Sequence, residues 1–281
     1  MRTALRSHIQ FPFFAAEWAR QIYKKFERRS NRRDWFTILT GMAKVVAERG
    51  PRKGAFEWLD IGAGECHSTI QQLSVIQKAT DRKVVLDIDI DVLEPSSYSL
   101  AQCLLRLHSI KKDVVFRNFF KAGWHEAKLP FRYDLISAVH SAYYFTQTEK
   151  DFRQVLRKIW FKLKKGGIAQ LLILPSYSAF YRVIGRNYFG SWVYAENVLH
   201  TLREMGFKPK TKESSMKLNI DDVFRSRAAL YEFWLFMMNK RSGTLSTGER
   251  QRFLNALKST RFKHNGRWVM EMNDWLIWFQ K

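Results

Sequence analysis

The chain has 281 residues, 46% hydrophobic and 15% aromatic, enough for one large α/β domain or for a domain with an inserted or appended lobe. Lys and Arg outnumber Asp and Glu by 48 to 26, a formal +22 that suits either a polyanionic partner such as nucleic acid or a merely solvated basic surface. No run approaches the roughly 18 apolar residues of a membrane span, and the two cysteines, Cys66 and Cys103, suggest neither a disulfide framework nor a metal cluster, so a reducing, cytoplasmic location is expected.

From Phe14 to Arg33, Trp18, Ile22, Tyr23 and Phe26 recur at helical spacing, with Arg20, Lys24, Lys25, Arg28, Arg29, Arg32 and Arg33 filling the remainder. This predicts a basic amphipathic helix, either a cap over a sheet or a grip on an anionic substrate or surface. The start, Met1 to Arg20, interrupts its apolar part with a proline and Glu17 and does not suggest a secretory signal. A second helix, Trp35 to Arg49, stops at Gly50-Pro51.

The stretch Phe56 to Glu65 then predicts a buried strand running into a Gly-x-Gly turn, followed by a helix through Leu73. A turn built from Gly62 and Gly64 lets an extended ligand lie across the strand's carboxyl end, beside the first amides of the helix. Dinucleotide sites favour G-x-G-x-x-G. Here Asp60 precedes the turn, Glu65 follows it and there is no third glycine, a pattern that repels phosphate and suits a cation. A strand ending in Asp60-Ile61-Gly62-Ala63-Gly64-Glu65 resembles the first motif of class I S-adenosylmethionine (SAM) methyltransferases.

A second strand lies within Lys83 to Glu94. An acid at its end suits a ribose diol, since a carboxylate accepts both hydroxyl hydrogen bonds. Glu94, before Pro95-Ser96, is the preferred residue, with Asp89 and Asp91 as competitors. Ser97 to His108 is predicted helical and Lys112 to Asn118 a third strand, followed by a polar loop with Trp124, His125 and Glu126. Tyr133 to Phe145 predicts a fourth strand that delivers His140, Tyr143 and Tyr144 to the sheet's carboxyl edge. A helix capped by Thr146 and Glu149 and ending at Gly166-Gly167 leads to a fifth strand, Ile168 to Leu174. Beyond it come an aromatic segment from Ser176 to Arg186 with Tyr177 and Tyr181, a helix from Ala195 to Met205, a sixth strand from Phe207 to Asn219 and a helix from Asp221 to Lys240. A linker at Arg241 to Leu245, a helix capped by Ser246 and Glu249, and a seventh strand from Arg267 to Phe279 complete the chain.

The order of these parts resembles histamine N-methyltransferase and its small-molecule relatives. The residues carrying the resemblance are Gly62-Ala63-Gly64-Glu65, Val92-Leu93-Glu94-Pro95-Ser96, and Tyr143-Tyr144 nine residues after Asp134. It implies a Rossmann-like, doubly wound α/β fold with a seven-stranded sheet whose last strand is antiparallel. Its parts would be an N-terminal helical cap (1–50), a cofactor-binding core (51–219), a helical substrate lobe (220–264) and a final core strand (265–281). It also implies SAM as cofactor and S-adenosylhomocysteine as product, with Asp60, Gly62, Gly64, Glu65, Glu94, Ser99, Asn118 and Val139 on the cofactor side. Arg32, His140, Tyr143, Tyr177 and Asn273 would face a small-molecule acceptor, and His140 and Tyr144 would serve the methyl transfer. The family's acidic residue for its amine substrate falls close to Arg32, which points to an acceptor carrying an anion. The basic N-terminal helix leaves RNA or protein as alternative acceptors, and a non-catalytic binding subunit as a third reading. Methyl transfer from a sulfonium needs alignment and exclusion of water rather than a metal. A histidine at the acceptor is suited to orienting or deprotonating it.

Overall fold

A computed structural model describes residues 55–79, 87–108, 114–142, 145, 149–179, 182–183, 193–237 and 245–281. The N-terminal cap, with Arg32, and the pair Tyr143 and Tyr144 lie outside the described residues.

The first half alternates strand and helix: β1 (Phe56–Ile61), α1 (His67–Ala79), β2 (Ile88–Leu93), α2 (Ser97–Leu107), β3 (Val114–Phe120), β4 (Tyr133–Val139), α3 (Glu149–Lys162) and β5 (Leu163–Ile173). There follow α4 (Ala195–Glu204), β6 (Lys210–Asn219), α5 (Asp221–Arg225), α6 (Arg227–Met237), α7 (Thr247–Thr260), β7 (Arg261–His264) and β8 (Arg267–Gln280). The sheet order is β3-β2-β1-β4-β5-β8-β6, with β7 joined to β8. Strands β3, β2, β1, β4 and β5 pair in parallel, whereas β8 pairs antiparallel with both β5 and β6. Short right-handed crossovers build such a sheet outward in two directions from its first strand, and the order reverses between β1 and β4.

Both faces of the central strands are buried, and the acids that interrupt their apolar residues, Asp60 and Asp91, are each held by hydrogen bonds. On one face Trp58, Ile90, Leu135 and Leu276 pack with Leu73 and Ile76 of α1 and Leu100 and Cys103 of α2. On the other, Leu59, Ile136, Leu171 and Ile277 pack with Phe152, Leu156 and Ile159 of α3 and Val198 and Leu202 of α4. A third cluster, Leu218, Val223, Leu230, Phe233, Trp234, Phe253, Leu257 and Met270, binds α5, α6 and α7 to the far ends of β6 and β8.

Several expectations are corrected. The sheet has eight strands rather than seven, because 261–264 is not helical. Asn265 (φ 50°) and Gly266 (φ 74°) both adopt left-handed backbone, the two-residue turn that lets β7 fold back on β8. The single helix expected over 221–240 is broken at Ser226, whose backbone is extended and whose hydroxyl accepts the Ala229 amide of a new helix. Strand β4 ends at Val139 instead of reaching Phe145, since His140 turns into left-handed backbone at φ 51°. Strand β5 begins five residues early, at Leu163, passing an irregularity opposite Tyr133 and Leu135 where Gly167 lies against the carbonyls of Tyr133 and Lys164.

The two cysteines also depart from expectation. Cys66 and Cys103 are both fully buried, their Cα atoms are 4.9 Å apart, and they form a disulfide. The 37 residues between them hid this proximity, which arises because the backbone after the glycine turn takes a left-handed φ of 62° at Cys66 and places it against the buried face of α2. A buried disulfide removes the ground for expecting a reducing compartment. Among the described residues no helix is long and apolar enough to cross a membrane.

Candidate functional site

The reversal of strand order between β1 and β4 leaves a crevice at their carboxyl ends, where ligands of open α/β sheets bind. The glycine turn fills one side. Gly62 has φ 67°, and a Cβ there would lie 2.3 Å from the Cβ of Ser141. Ser141 in turn donates its hydroxyl to the Ile61 carbonyl at 2.7 Å, so the end of β4 is clasped to the end of β1. Gly64, at φ 57°, has nothing within 4 Å of a Cβ position, so its backbone is open on that side.

Glu94 stands directly after β2, 7% exposed. One carboxyl oxygen accepts the Gly64 amide at 2.9 Å and the other the Ser96 amide at 2.9 Å. A carboxylate offers about four acceptor positions, so two remain for a pair of hydroxyls. Burial, the largest influence, raises its pKa against those stabilising amides, and nearby Asp60 adds to the rise. The competitors are committed elsewhere. Asp91 is fully buried and accepts from Arg117 at 3.0 and 3.2 Å, Asn118 at 2.9 Å and Tyr133 at 2.8 Å. Asp89 lies 3.6 Å from the same guanidinium. Asn118 is thereby engaged with Asp91.

Asp60 is 1% exposed and accepts from Thr69 on one oxygen and from Ser137, at 2.7 Å, on the other. It ties β1, α1 and β4 together beneath the turn, and burial pushes its pKa up to about 6. Glu65 is held by Arg106 of α2 at 2.8 Å, with His67 at 3.5 Å. The two acids that flank the turn in sequence thus serve the protein's own framework. Ser99 lies buried in the first turn of α2, its amide donated to the capping hydroxyl of Ser96, and Val139 is half-buried at the end of β4.

On the other side of the crevice, His140 donates its amide to the Leu172 carbonyl at 3.0 Å, and its Nε2 lies 3.6 Å from an oxygen of Asp274 on β8. Burial pushes the imidazole pKa down to about 4 and the Asp274 carboxyl up to about 8. Asp274 was missed by sequence reasoning, which settled on its neighbour Asn273. Asn273 is half-buried and donates its amide to Ser178 at 3.2 Å. Tyr177 donates to Glu213 and accepts from the Trp275 indole at 2.9 Å, some way along β6 and β8. Trp124 belongs to the core beneath Lys158, and His125 bonds the Phe145 carbonyl. The structure therefore brings Gly62, Gly64, Glu94, Val139 and His140 to one edge. Asp60, Glu65 and Asn118 it engages within the framework.

The parallel strands and the reversed last strand define a Rossmann-like fold of the methyltransferase kind. No family model matches the chain, and no curated protein matches its sequence. Solved structures do match its fold. One, from Bacillus halodurans and designated a methyltransferase, is 15% identical with a TM-score of 0.55, covering 86% of this chain and 98% of its own. The YcgJ protein of Bacillus subtilis is 14% identical with a TM-score of 0.57, over 87% of this chain and 98% of its own. The plantazolicin methyltransferase BpumL, in complex with a triazolic desmethylPZN analogue and SAH, is 12% identical with a TM-score of 0.51, over 96% and 93%. At these identities the likeness establishes the shared fold.

Proposed function

We propose that this protein is a SAM-dependent methyltransferase that methylates nitrogen or oxygen of a small molecule, as in the histamine N-methyltransferase-like group. One observation carries the reading: at the reversal of strand order, Glu94 accepts the Gly64 amide beside an open backbone, a cradle for a nucleoside with its ribose on the carboxylate. BpumL, of the same fold, is described with SAH bound.

When bound, the cofactor supplies an electrophilic methyl group on a sulfonium. Glu94 would accept the ribose hydroxyls, and the backbone at Gly64 would admit the ligand where a side chain at a tighter turn would not. Val139 would line the adenosyl side. His140, kept uncharged by burial, can hold and orient the acceptor through its ring nitrogen as the new bond forms. Tyr143 and Tyr144 would wall the acceptor, and Arg32 would meet an anionic part of it. Isothermal calorimetry with S-adenosylhomocysteine tests the proposal: binding is expected, weakened at least tenfold by Glu94→Gln, and absence of binding to the wild-type protein would sink it.

The +22 charge supports a second reading in which the acceptor is RNA. Steeply salt-dependent RNA binding, lost on reversing Arg28, Arg29, Arg32 and Arg33 to Glu, would favour it over the small molecule.

A further inference from the structure

We propose that Asp274 and Ser214, beside His140, form the subsite that receives a hydrogen-bond-donating group of the acceptor, one carrying at least two N–H or O–H donors. This rests on the methyltransferase reading above and says which chemistry the acceptor brings to the far side of the crevice.

Asp274 is 1% exposed, yet neither of its carboxyl oxygens accepts a hydrogen bond. His140 Nε2 stands off at 3.6 Å. Directly across the antiparallel ladder is Ser214 of β6, whose hydroxyl is also buried without a partner. Side chains opposed in this way share one face of the sheet with Cβ atoms roughly 5 Å apart, so three orphan oxygens sit together. Buried polar atoms are paired in folded proteins almost without exception, and each exception calls for an explanation.

This fold does pair its other deeply buried carboxylates. Asp60 is filled by Thr69 and Ser137, and Asp91 by Arg117, Asn118 and Tyr133. Asp274 differs from them in position. It lies one residue from Trp275, which pairs with the last residue of β5, and beside His140, the residue that follows β4. That is the carboxyl edge, with His140 between it and the Ser141–Gly62 clasp of the cofactor side. A donor group of the acceptor reaching Asp274 and Ser214 would therefore place the rest of the acceptor against His140 and toward the cofactor. Burial holds the Asp274 carboxyl largely protonated near neutral pH, so the empty subsite does not carry a bare charge. A donor, above all a cationic one, draws out the ionised carboxylate with its full set of acceptor positions, whereas an anion can be met only by the protonated acid and the Ser214 hydroxyl and is the weaker ligand. Any anion on the acceptor lies at its other end.

The test uses the full chain saturated with S-adenosylhomocysteine and three flat probes of one shape: benzamidine and benzamide, which donate, and benzoate, which accepts. Saturation-transfer NMR and calorimetry are expected to show both donors binding and benzoate at least tenfold weaker. Asp274→Leu is expected to weaken benzamidine tenfold or more, and Ser214→Ala about threefold, with cofactor-product affinity kept within twofold. Should the leucine variant fail to fold, Asp274→Asn, which keeps the shape and cannot ionise against a cation, is expected to weaken benzamidine but not benzamide. The proposal is overturned if benzoate binds as well as benzamidine, if neither donor binds the loaded protein, or if benzamidine binds the Asp274 variants as it binds wild type. Failure of the parent reading shows separately, as absence of S-adenosylhomocysteine binding before any probe is added.

Discussion

Replacing Gly62 by Ala isolates the contact on which the crevice depends. At φ 67° an alanine incurs about 1–2 kcal/mol of backbone strain. Its Cβ would also fall 2.3 Å from that of Ser141, and overpacking of this kind costs about 1–3 kcal/mol. Gly64→Ala meets only the first cost, because at φ 57° nothing lies within 4 Å. Gly62→Ala should therefore destabilise by about 4 kcal/mol and Gly64→Ala by about 1–2 kcal/mol in urea denaturation. Ser141→Gly removes both the clashing Cβ and the hydroxyl bonded to the Ile61 carbonyl, a loss of about 1 kcal/mol alone. The double variant should consequently be no worse than Gly62→Ala and recover part of the clash. Equal losses at the two glycines, or strict additivity in the double variant, would refute the account.

Three further outcomes follow from the same geometry. Cys66→Ser with Cys103→Ser, or reduction of the wild type, should lower stability by about 2–4 kcal/mol for a bridge spanning 37 residues, measured by denaturation with and without reductant; two freely alkylated thiols in the native protein would contradict the pairing. Arg117→Ala strips the buried Asp91 of its bidentate partner and should cost about 3 kcal/mol, visible as a lowered unfolding midpoint. The third concerns pH. The folded chain holds the Asp274 proton between 3.8 and about 8 while the unfolded chain has lost it, which lowers stability as pH rises. His140 in the folded chain refuses, between 6.5 and about 4, a proton that the unfolded chain takes, which lowers stability as pH falls. The two oppose below 6.5, so the pair contributes a net decline of about 2 kcal/mol from there to about pH 8. Asp274→Asn should abolish that decline, and an unchanged pH profile in the variant would refute it.

The glycine turn and the acid after β2 were legible because their signals are local. Gly62 and Gly64 are needed where the chain turns sharply, and Pro95 ends β2 so that Glu94 is left at its tip. Asn265-Gly266 was equally local, a hairpin signal between two strand-forming stretches, and the expectation of a helix through 264 passed over it. Ser226 was harder, since a serine within an apolar helical pattern is usually tolerated and only its cap on Ala229 reveals the break. What could not be read is whatever depends on residues far apart in the chain. Cys66 meets Cys103 only because α2 packs beside the turn. The partners of Asp60 and Glu65, which are Thr69, Ser137 and Arg106, come from α1, β4 and α2 and are set by packing rather than by a local pattern. Asp274 stands out only through what it lacks, and that absence is defined jointly by β4, β6 and β8.

One strand runs the length of this arrangement. β8 is 14 residues long and unbroken; its final residues pair with β5, its whole inner length with β6, and its first residues with β7 beneath the helices of the lobe. Asp274 lies at its middle. Residues 269–270 and 275–278 are paired on two sides, but residues 271–274 are paired with β6 alone, so this short stretch is where β8 can bend between the helices at one end and the parallel strands at the other. Amides of Met270 and Ile277 should then exchange with solvent in separate events, one on either side of Asp274.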